Sequence, residues 1–347
     1  MERWIDELTY SKLAAWTVLW PFVGFGVVVF RWFGRTPWIS YWAMRRLACS
    51  TEGRSNAWLG RRLGRPPTQP NGFREGVFSL DDSQVGAAVA GLVADGFSVL
   101  PLQLSAEHCD ELAELALTAP ARLTPVPSNG VSTAVYEPLY PLATRYDLPE
   151  EVLVGDPLVD RLIADDSFRE IARRYLEREP VNDLVAMWWS TALLTEADPA
   201  SAQLYHFDMD RPEFLKIFIY LTDVDTDTGP HCFIRGSNRT RPASLWRDGR
   251  HSDQEVRAAF GPESECEITG PRGSVIAVDT SGFHKGKKLE HGDRLVLQLE
   301  YTTALFGQSY EQIHVPASEF WRRELAENPY YLQRFSLEGS FVGSDNV

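Results

Sequence analysis

The spacing of hydrophobic and polar positions changes character near residue 182. Before that point the apolar positions keep helical spacing. VGAAVAGLVADGFSVLPL (85–102) predicts a helix running through Asp95-Gly96 into a short strand. SAEHCDELAELALTA (105–119) predicts a second helix, capped by Ser105, with Glu107 and Glu111 early in it. PLVDRLIADDSFREIARRYLER (157–178) repeats the helical spacing. From about 182 onward short apolar or alternating runs take over: LVAMWWSTALL, FLKIFIYLTDV, HCFIRG, GSVIAVD and RLVLQLEYTT. Turns rich in Gly, Pro and Asp separate them, which predicts a mainly β fold with flanking α-helices, built as an antiparallel sandwich or barrel.

The front of the chain follows neither rhythm. Residues 13–30, LAAWTVLWPFVGFGVVVF, are uncharged and would reach ~27 Å as one helix, near the lower limit for crossing a bilayer. Five Trp (Trp16, Trp20, Trp32, Trp38, Trp42) sit in or beside the run, and eight Arg between Arg31 and Arg65 follow it, an excess that would hold the body of the protein on the cytoplasmic side. Glu2, Asp6 and Glu7, with no small-x-small cleavage pattern behind the run, argue against a secretory signal. Two readings stand open: membrane association through residues 13–66, or short helices broken at Pro21, Gly24 and Gly26 that dock on the body with an Arg rim. Three Pro and two Gly in residues 66–80 read as a linker. The expected organisation is therefore a basic Trp-rich segment and linker (1–75), a catalytic domain (76–310) and a C-terminal extension (311–347).

Composition sharpens this division. The 347-residue chain carries a net charge of -14, which argues against nucleic-acid binding. Residues 1–75, however, hold eleven Lys and Arg against five Asp and Glu, and seven of the eleven Trp lie within the first 58 residues. A basic aromatic front precedes an acidic body. The four Cys (Cys49, Cys109, Cys232, Cys266) are widely spaced without a zinc or disulfide pattern, which fits a reducing compartment.

The candidate chemistry lies in the β region. Tyr205-His206-Phe207-Asp208 is followed by Gly282-Phe283-His284 and then by Arg294. Residues i and i+2 of a strand share a face, so His206 and Asp208 can offer an imidazole nitrogen and a carboxylate oxygen to one metal. His284 on a neighbouring strand would complete a two-His-one-carboxylate triad, the donor set that suits non-haem Fe(II) and oxygen chemistry. Arg294 opens an apolar strand; its planar guanidinium pairs bidentately with a carboxylate and keeps its charge when buried. Asp223-Val-Asp225-Thr-Asp227 imitates a calcium loop, but Thr228 stands at position six and Ile234 at position twelve, so it reads as a polar hairpin turn.

The ordered set of H-x-D, a hairpin ending in Thr228-Gly229-Pro230, a Gly236-Ser237 turn, a late His and an Arg ten residues after it resembles the phytanoyl-CoA dioxygenase family of Fe(II)/2-oxoglutarate-dependent oxygenases. The resemblance covers roughly 87–305. It implies a double-stranded β-helix of the jelly-roll or cupin-like kind. It also implies His206, Asp208 and His284 as catalytic iron ligands, Arg294 as partner of the distal carboxylate of 2-oxoglutarate, and Fe(II), 2-oxoglutarate and O2 as the working set. Asp208 favours hydroxylation or a related oxidation, since halogenating relatives replace that carboxylate. The chain departs from the family at Arg235-Gly236-Ser237-Asn238 and at Lys285-Gly286-Lys287-Lys288, which suggests an anionic group near the site. Lys216, Phe218 and Tyr220 share one strand face: Lys216 or Tyr220 is a candidate contact for 2-oxoglutarate, and Phe218 a pocket wall. Trp188, Arg235 and Lys285 are further candidates for substrate contact.

The expected function is an Fe(II)/2-oxoglutarate-dependent oxygenase that oxidises an unactivated C–H bond of a small or lipid-like molecule, giving succinate and carbon dioxide. It would be cytoplasmic, at the inner face of a membrane if the front attaches. The alternatives are a cupin-like metalloenzyme that does not use 2-oxoglutarate and a non-catalytic, membrane-attached binding protein.

Overall fold

Alternation of side chains builds the core. In the computed structural model, which describes residues 15–68 and 76–339, eight strands form one antiparallel sheet. They are β1 (Phe97–Gln103), β2 (Pro120–Thr124), β3 (Thr133–Val135), β4 (Arg145–Asp147), β5 (Val181–Thr191), β6 (Phe214–Tyr220), β9 (Ser274–Val278) and β11 (Asp293–Thr302). Their order is β1-β9-β6-β11-β5-β4-β2-β3. A second sheet, ordered β10-β7-β8, joins β7 (His231–Ile234), β8 (Glu265–Ile268) and β10 (His284–Gly286). Side chains of both sheets (Trp188, Phe218, Ile276 and Val296 from the first, Phe233 and Ile268 from the second) share one buried cluster. The two sheets thus pack face to face as a double-stranded β-helix.

The odd-numbered residues of β6 and β11 point the other way. Leu215, Ile217, Ile219, Leu295, Leu297 and Leu299 join the main core, which they share with Val85, Ala88 and Leu92 of helix α4 (Asp82–Asp95), Leu112 and Ala116 of α5 (Ala106–Thr118) and Phe168 and Ile171 of α8 (Asp166–Leu176). This is why FLKIFIY is buried along its whole length: helices seal one face and the second sheet the other. Ser105 caps α5 as expected, its Oγ accepting from the His108 amide at 3.2 Å. The 157–178 run splits into α7 (Pro157–Ile163) and α8, because the buried Asp165 carboxylate accepts from the amides of Ser167 and Phe78 and starts a new helix. The Asp-rich turn folds as a hairpin loop, with Asp225 Oδ1 accepting from Asp227 and Thr228.

The apolar front forms α1 (Trp20–Phe33), α2 (Trp38–Ser50) and α3 (Arg54–Leu63). Residues 1–14, including the first two of the expected apolar run, and residues 69–75 of the expected linker lie outside the described residues. A π-helical turn (Ala15–Leu19) leads into α1, so the run changes helix type just before Pro21, while Gly24 and Gly26 do not interrupt α1. Pro21 occupies the first turn, where its missing N–H costs nothing, and Gly34 at φ +66° ends the helix. Gly26 marks the crossing with α2; a Cβ there would stand 2.4 Å from Ser40 Cβ. Leu19, Val23, Met44, Leu47 and Leu59 close around Phe306 of the barrel domain. Among the described residues no helix is long and apolar enough to cross a membrane. The outward face of α1 remains apolar, with Trp32 80% and Phe33 73% exposed.

Residues 311–339 of the C-terminal extension pack on the same helical layer, and 340–347 lie outside the described residues. The extension supplies β12 (Ile313–Val315), α10 (Glu319–Glu327) and β13 (Phe335–Leu337). Trp321 Nε1 donates to Asp160 Oδ2 at 2.8 Å, and Arg334 pairs bidentately with Glu150.

Candidate metal centre

Two short backbone pairings assemble the centre. The segment carrying His206 and Asp208 is extended but forms only isolated bridges, Tyr205 with His251 and His206 with His284. The His206 and His284 amides and carbonyls exchange both hydrogen bonds, at 3.0 and 2.9 Å, and the Asp208 amide donates to Thr280. This register holds the two imidazoles with ring centroids 4.3 Å apart, and alternation returns Asp208 to their side. One donor atom from each of His206, Asp208 and His284 lies within 4.8 Å of the others.

Each imidazole is held ready to ligate. His206 Nδ1 lies 2.9 Å from the Leu204 carbonyl, and His284 Nδ1 lies 3.0 Å from the Gly282 carbonyl. A carbonyl only accepts, so each Nδ1 carries the proton and each Nε2 presents its lone pair. Those Nε2 atoms stand 3.7 and 3.5 Å from the Asp208 carboxylate. Burial lowers the His206 pKa to about 3 and that of His284 to about 4, so both rings are neutral at ordinary pH. Burial opposes ionisation of Asp208, but the Lys216 ammonium outweighs it and keeps the carboxyl far below its usual range. Two neutral nitrogen donors and one carboxylate on one side of a point fit a divalent iron.

Arg294 sits at the other end of the same inner face. It pairs across with Ser190, whose Oγ accepts from Nη2 at 3.2 Å, while its Nε is buried with no partner. Burial, and secondarily Arg145, lower its pKa from the ordinary value. No carboxylate compensates this guanidinium among the described residues, an arrangement suited to a bound anion. Tyr220 and Lys216 lie on the same face but are engaged. Tyr220 Oη donates to the Ile268 carbonyl at 2.7 Å and accepts from the His231 amide at 3.0 Å. Lys216 Nζ lies 2.7 Å from Asp208 Oδ2 and 3.4 Å from Glu300 Oε2, at the metal end of the strand.

Of the substrate candidates, Phe218 and Trp188 stand together on the inner face, centroids 6.3 Å apart, with Arg145 over the Trp188 ring. Arg235 and Lys285 are elsewhere. Arg235 pairs with Asp95 at 2.7 Å over the Phe97 ring, and Lys285, opposite in strand parity to His284, pairs with Asp253 at 2.6 Å. Lys287 and Lys288 likewise have carboxylate partners, Glu267 and Glu290.

Sequence reasoning missed His231 and Glu300. His231 stacks on His284 at 5.4 Å with its Nε2 buried and unpartnered; only the pairing of β7 with β10 brings it there. Glu300 was legible, since it shares the parity of Arg294 and Gln298 in β11; burial raises its pKa to about 8.

No protein-family model matches the chain, and no curated protein matches it. Solved structures do. The chain is similar to HygX from Streptomyces hygroscopicus with nickel and 2-oxoglutarate bound (16% identity, 67% of this chain and 91% of that one, TM-score 0.45). It is similar to the non-haem alpha-ketoglutarate-dependent epimerase SnoN from nogalamycin biosynthesis (16%, 64% and 84%, 0.47). It is also similar to EctD from S. alaskensis with 2-oxoglutarate and 5-hydroxyectoine (20%, 69% and 82%, 0.45).

Proposed function

We propose that this protein is a non-haem Fe(II)/2-oxoglutarate-dependent oxygenase that hydroxylates, or otherwise oxidises, an unactivated C–H bond of a small molecule. The observation that carries the reading is one inner face holding both the His206/Asp208/His284 triad and a buried guanidinium, Arg294, with no carboxylate of its own. His206, Asp208 and His284 would hold the iron and leave its remaining positions open. Arg294 would bind the distal carboxylate of 2-oxoglutarate. Tyr220 lies at the Arg294 end and Lys216 at the metal end of β6, four residues or ~13 Å apart, which leaves room for a short dicarboxylate between them. Iron with 2-oxoglutarate and oxygen supplies an oxidant strong enough to take hydrogen from carbon, with succinate and carbon dioxide as co-products. Phe218, Trp188 and Val296 keep the space dry, and Lys216 holds one oxygen of Asp208.

Anaerobic titration of the protein with Fe(II) and then 2-oxoglutarate tests the reading. A metal-to-ligand charge-transfer band should appear. It should be absent in His206→Ala and Asp208→Ala, and Arg294→Met should raise the 2-oxoglutarate concentration needed by at least about a hundredfold, the ~3 kcal/mol of a charge-assisted bidentate pair. Well-folded wild-type protein without the band overturns the assignment.

The proposal has a second part. The exposed apolar stripe of α1 (Phe22, Phe25, Val28, Trp32, Phe33), flanked by Arg31 and Arg35, lies on the surface of an anionic membrane without crossing it.

A further inference from the structure

The front helices do more than cover the barrel. Between α2, α3 and the metal end of the barrel lies a cavity of about 420 Å³, within the range of small-molecule sites. Asp208 is in its wall, as is Phe214, whose ring lies 5.7 Å from Lys216 Nζ. Arg294 is not, so the cavity adjoins the triad on the side away from the guanidinium assigned to 2-oxoglutarate.

Two side chains of this wall have unmet polar atoms of opposite sign. Glu213 is wedged against Gly60 of α3, its Oε2 buried with no hydrogen-bond partner; burial raises its pKa to about 7, with Arg61 and Arg178 pulling the other way. Arg241 stacks on Phe207 at 4.2 Å and Trp246 at 4.0 Å and gives Nη2 to the Ser281 carbonyl. Its Nε and Nη1 have no partner, and burial lowers its pKa to about 10. A buried acceptor and a buried cation left unpaired in one cavity each cost stability unless something fills them.

We propose that this cavity is the substrate chamber, shaped for a small zwitterion whose ammonium meets Glu213 and whose anionic group meets Arg241 while its hydrocarbon part lies against Phe207 and Phe214. The assignment of the chamber to substrate rests on the oxygenase reading; its ligand chemistry does not.

Calorimetric titration of three matched probes tests it, run anaerobically on the full chain with Fe(II) and 2-oxoglutarate: trans-aminomethylcyclohexanecarboxylate, cyclohexylmethylamine and cyclohexanecarboxylate. The zwitterion should bind more tightly than either fragment. Glu213→Gln should weaken the zwitterion and the amine at least about tenfold and spare the acid; Arg241→Met should weaken the zwitterion and the acid and spare the amine. Ala57→Trp, which fills the chamber from α3, should abolish uptake of all three while leaving the 2-oxoglutarate band unchanged. Gly60→Ala is the second variant. Alanine favours the helix, but its Cβ would stand 1.9 Å from Glu213 Oε2, so the carboxylate must move and the amine should bind less tightly. Equal affinity for zwitterion and fragments, or unchanged affinity in both Ala57→Trp and Gly60→Ala, overturns the proposal. The two readings fail separately: if the protein supplied with Fe(II) and 2-oxoglutarate shows no charge-transfer band while metal-free protein keeps the probe selectivity, the oxygenase reading falls and the chamber's ligand chemistry stands.

Discussion

At the scale of single residues, the carboxyl groups of this protein are sorted by what surrounds them. Asp208 is held ionised by Lys216, whereas Asp160, buried beneath α10, has only the Trp321 indole N–H on one oxygen and nothing on the other. Burial raises its pKa from 3.8 to about 7. An acid with a raised folded-state pKa favours folding while both states keep the proton; that contribution is lost as pH climbs from 3.8 toward 7, because the unfolded chain ionises first. Asp160→Asn should therefore flatten the decline of stability across that window and make the protein more stable than wild type near pH 8. Urea midpoints of the metal-free protein across the range would check it; parallel curves for the two proteins would refute the sign. Arg294 was legible at this scale because Arg at the head of an apolar strand is chemically conspicuous. Glu213 and Arg241 were not: one precedes a strand and the other lies in a loop, and their shared cavity exists only once α3 docks.

At the scale of elements, parity and spacing were the readable quantities. Alternation in FLKIFIYL correctly divided inner from outer residues, and opposite faces for Trp188 and Trp189 followed from the same rule: Trp188 meets Phe218, while Trp189 gives its indole N–H to the Ala116 carbonyl. Helix boundaries depended on caps that only tertiary contacts reveal, as with Asp165, which serves α8 and the Phe78 amide together. One of the two open readings of the front took the glycines of α1 as breakers because propensity is local, yet Gly26 is there for the close crossing with α2. Gly26→Val should push the helices apart at a cost of ~1–3 kcal/mol and leave the barrel intact. Limited proteolysis would cut the front segment sooner than in wild type, with the 2-oxoglutarate band preserved.

At the scale of the molecule, charge is distributed to fit two surroundings. The described front carries eight Arg between residues 31 and 65 with Glu52 as its acid, on a chain of net charge -14. Arg45 is turned inward to Asp248, but Arg31, Arg35, Arg54, Arg61 and Arg62 are exposed. Phosphatidylserine-containing vesicles should sediment the protein, phosphatidylcholine vesicles alone should not, and salt near 0.5 M should release it as the Debye length falls to roughly 4 Å. Phe25→Asp with Trp32→Asp should abolish sedimentation without altering Fe(II) binding. Sedimentation unaffected by both substitutions would show that α1 is not the contact.

The sequence by itself determined the β core, the inner and outer faces of its strands and the donor triad, because these depend on periodicity and on side-chain chemistry carried within short segments. The tertiary structure decided which cations were already spoken for: Lys285 by Asp253, Lys216 by Asp208 and Glu300, and Arg235 by Asp95. It also decided that the front helices close one end of the barrel and shape a cavity beside the triad. Such pairings join residues far apart in the chain, and charge compensation and enclosed volume depend on distances in space that no local pattern encodes.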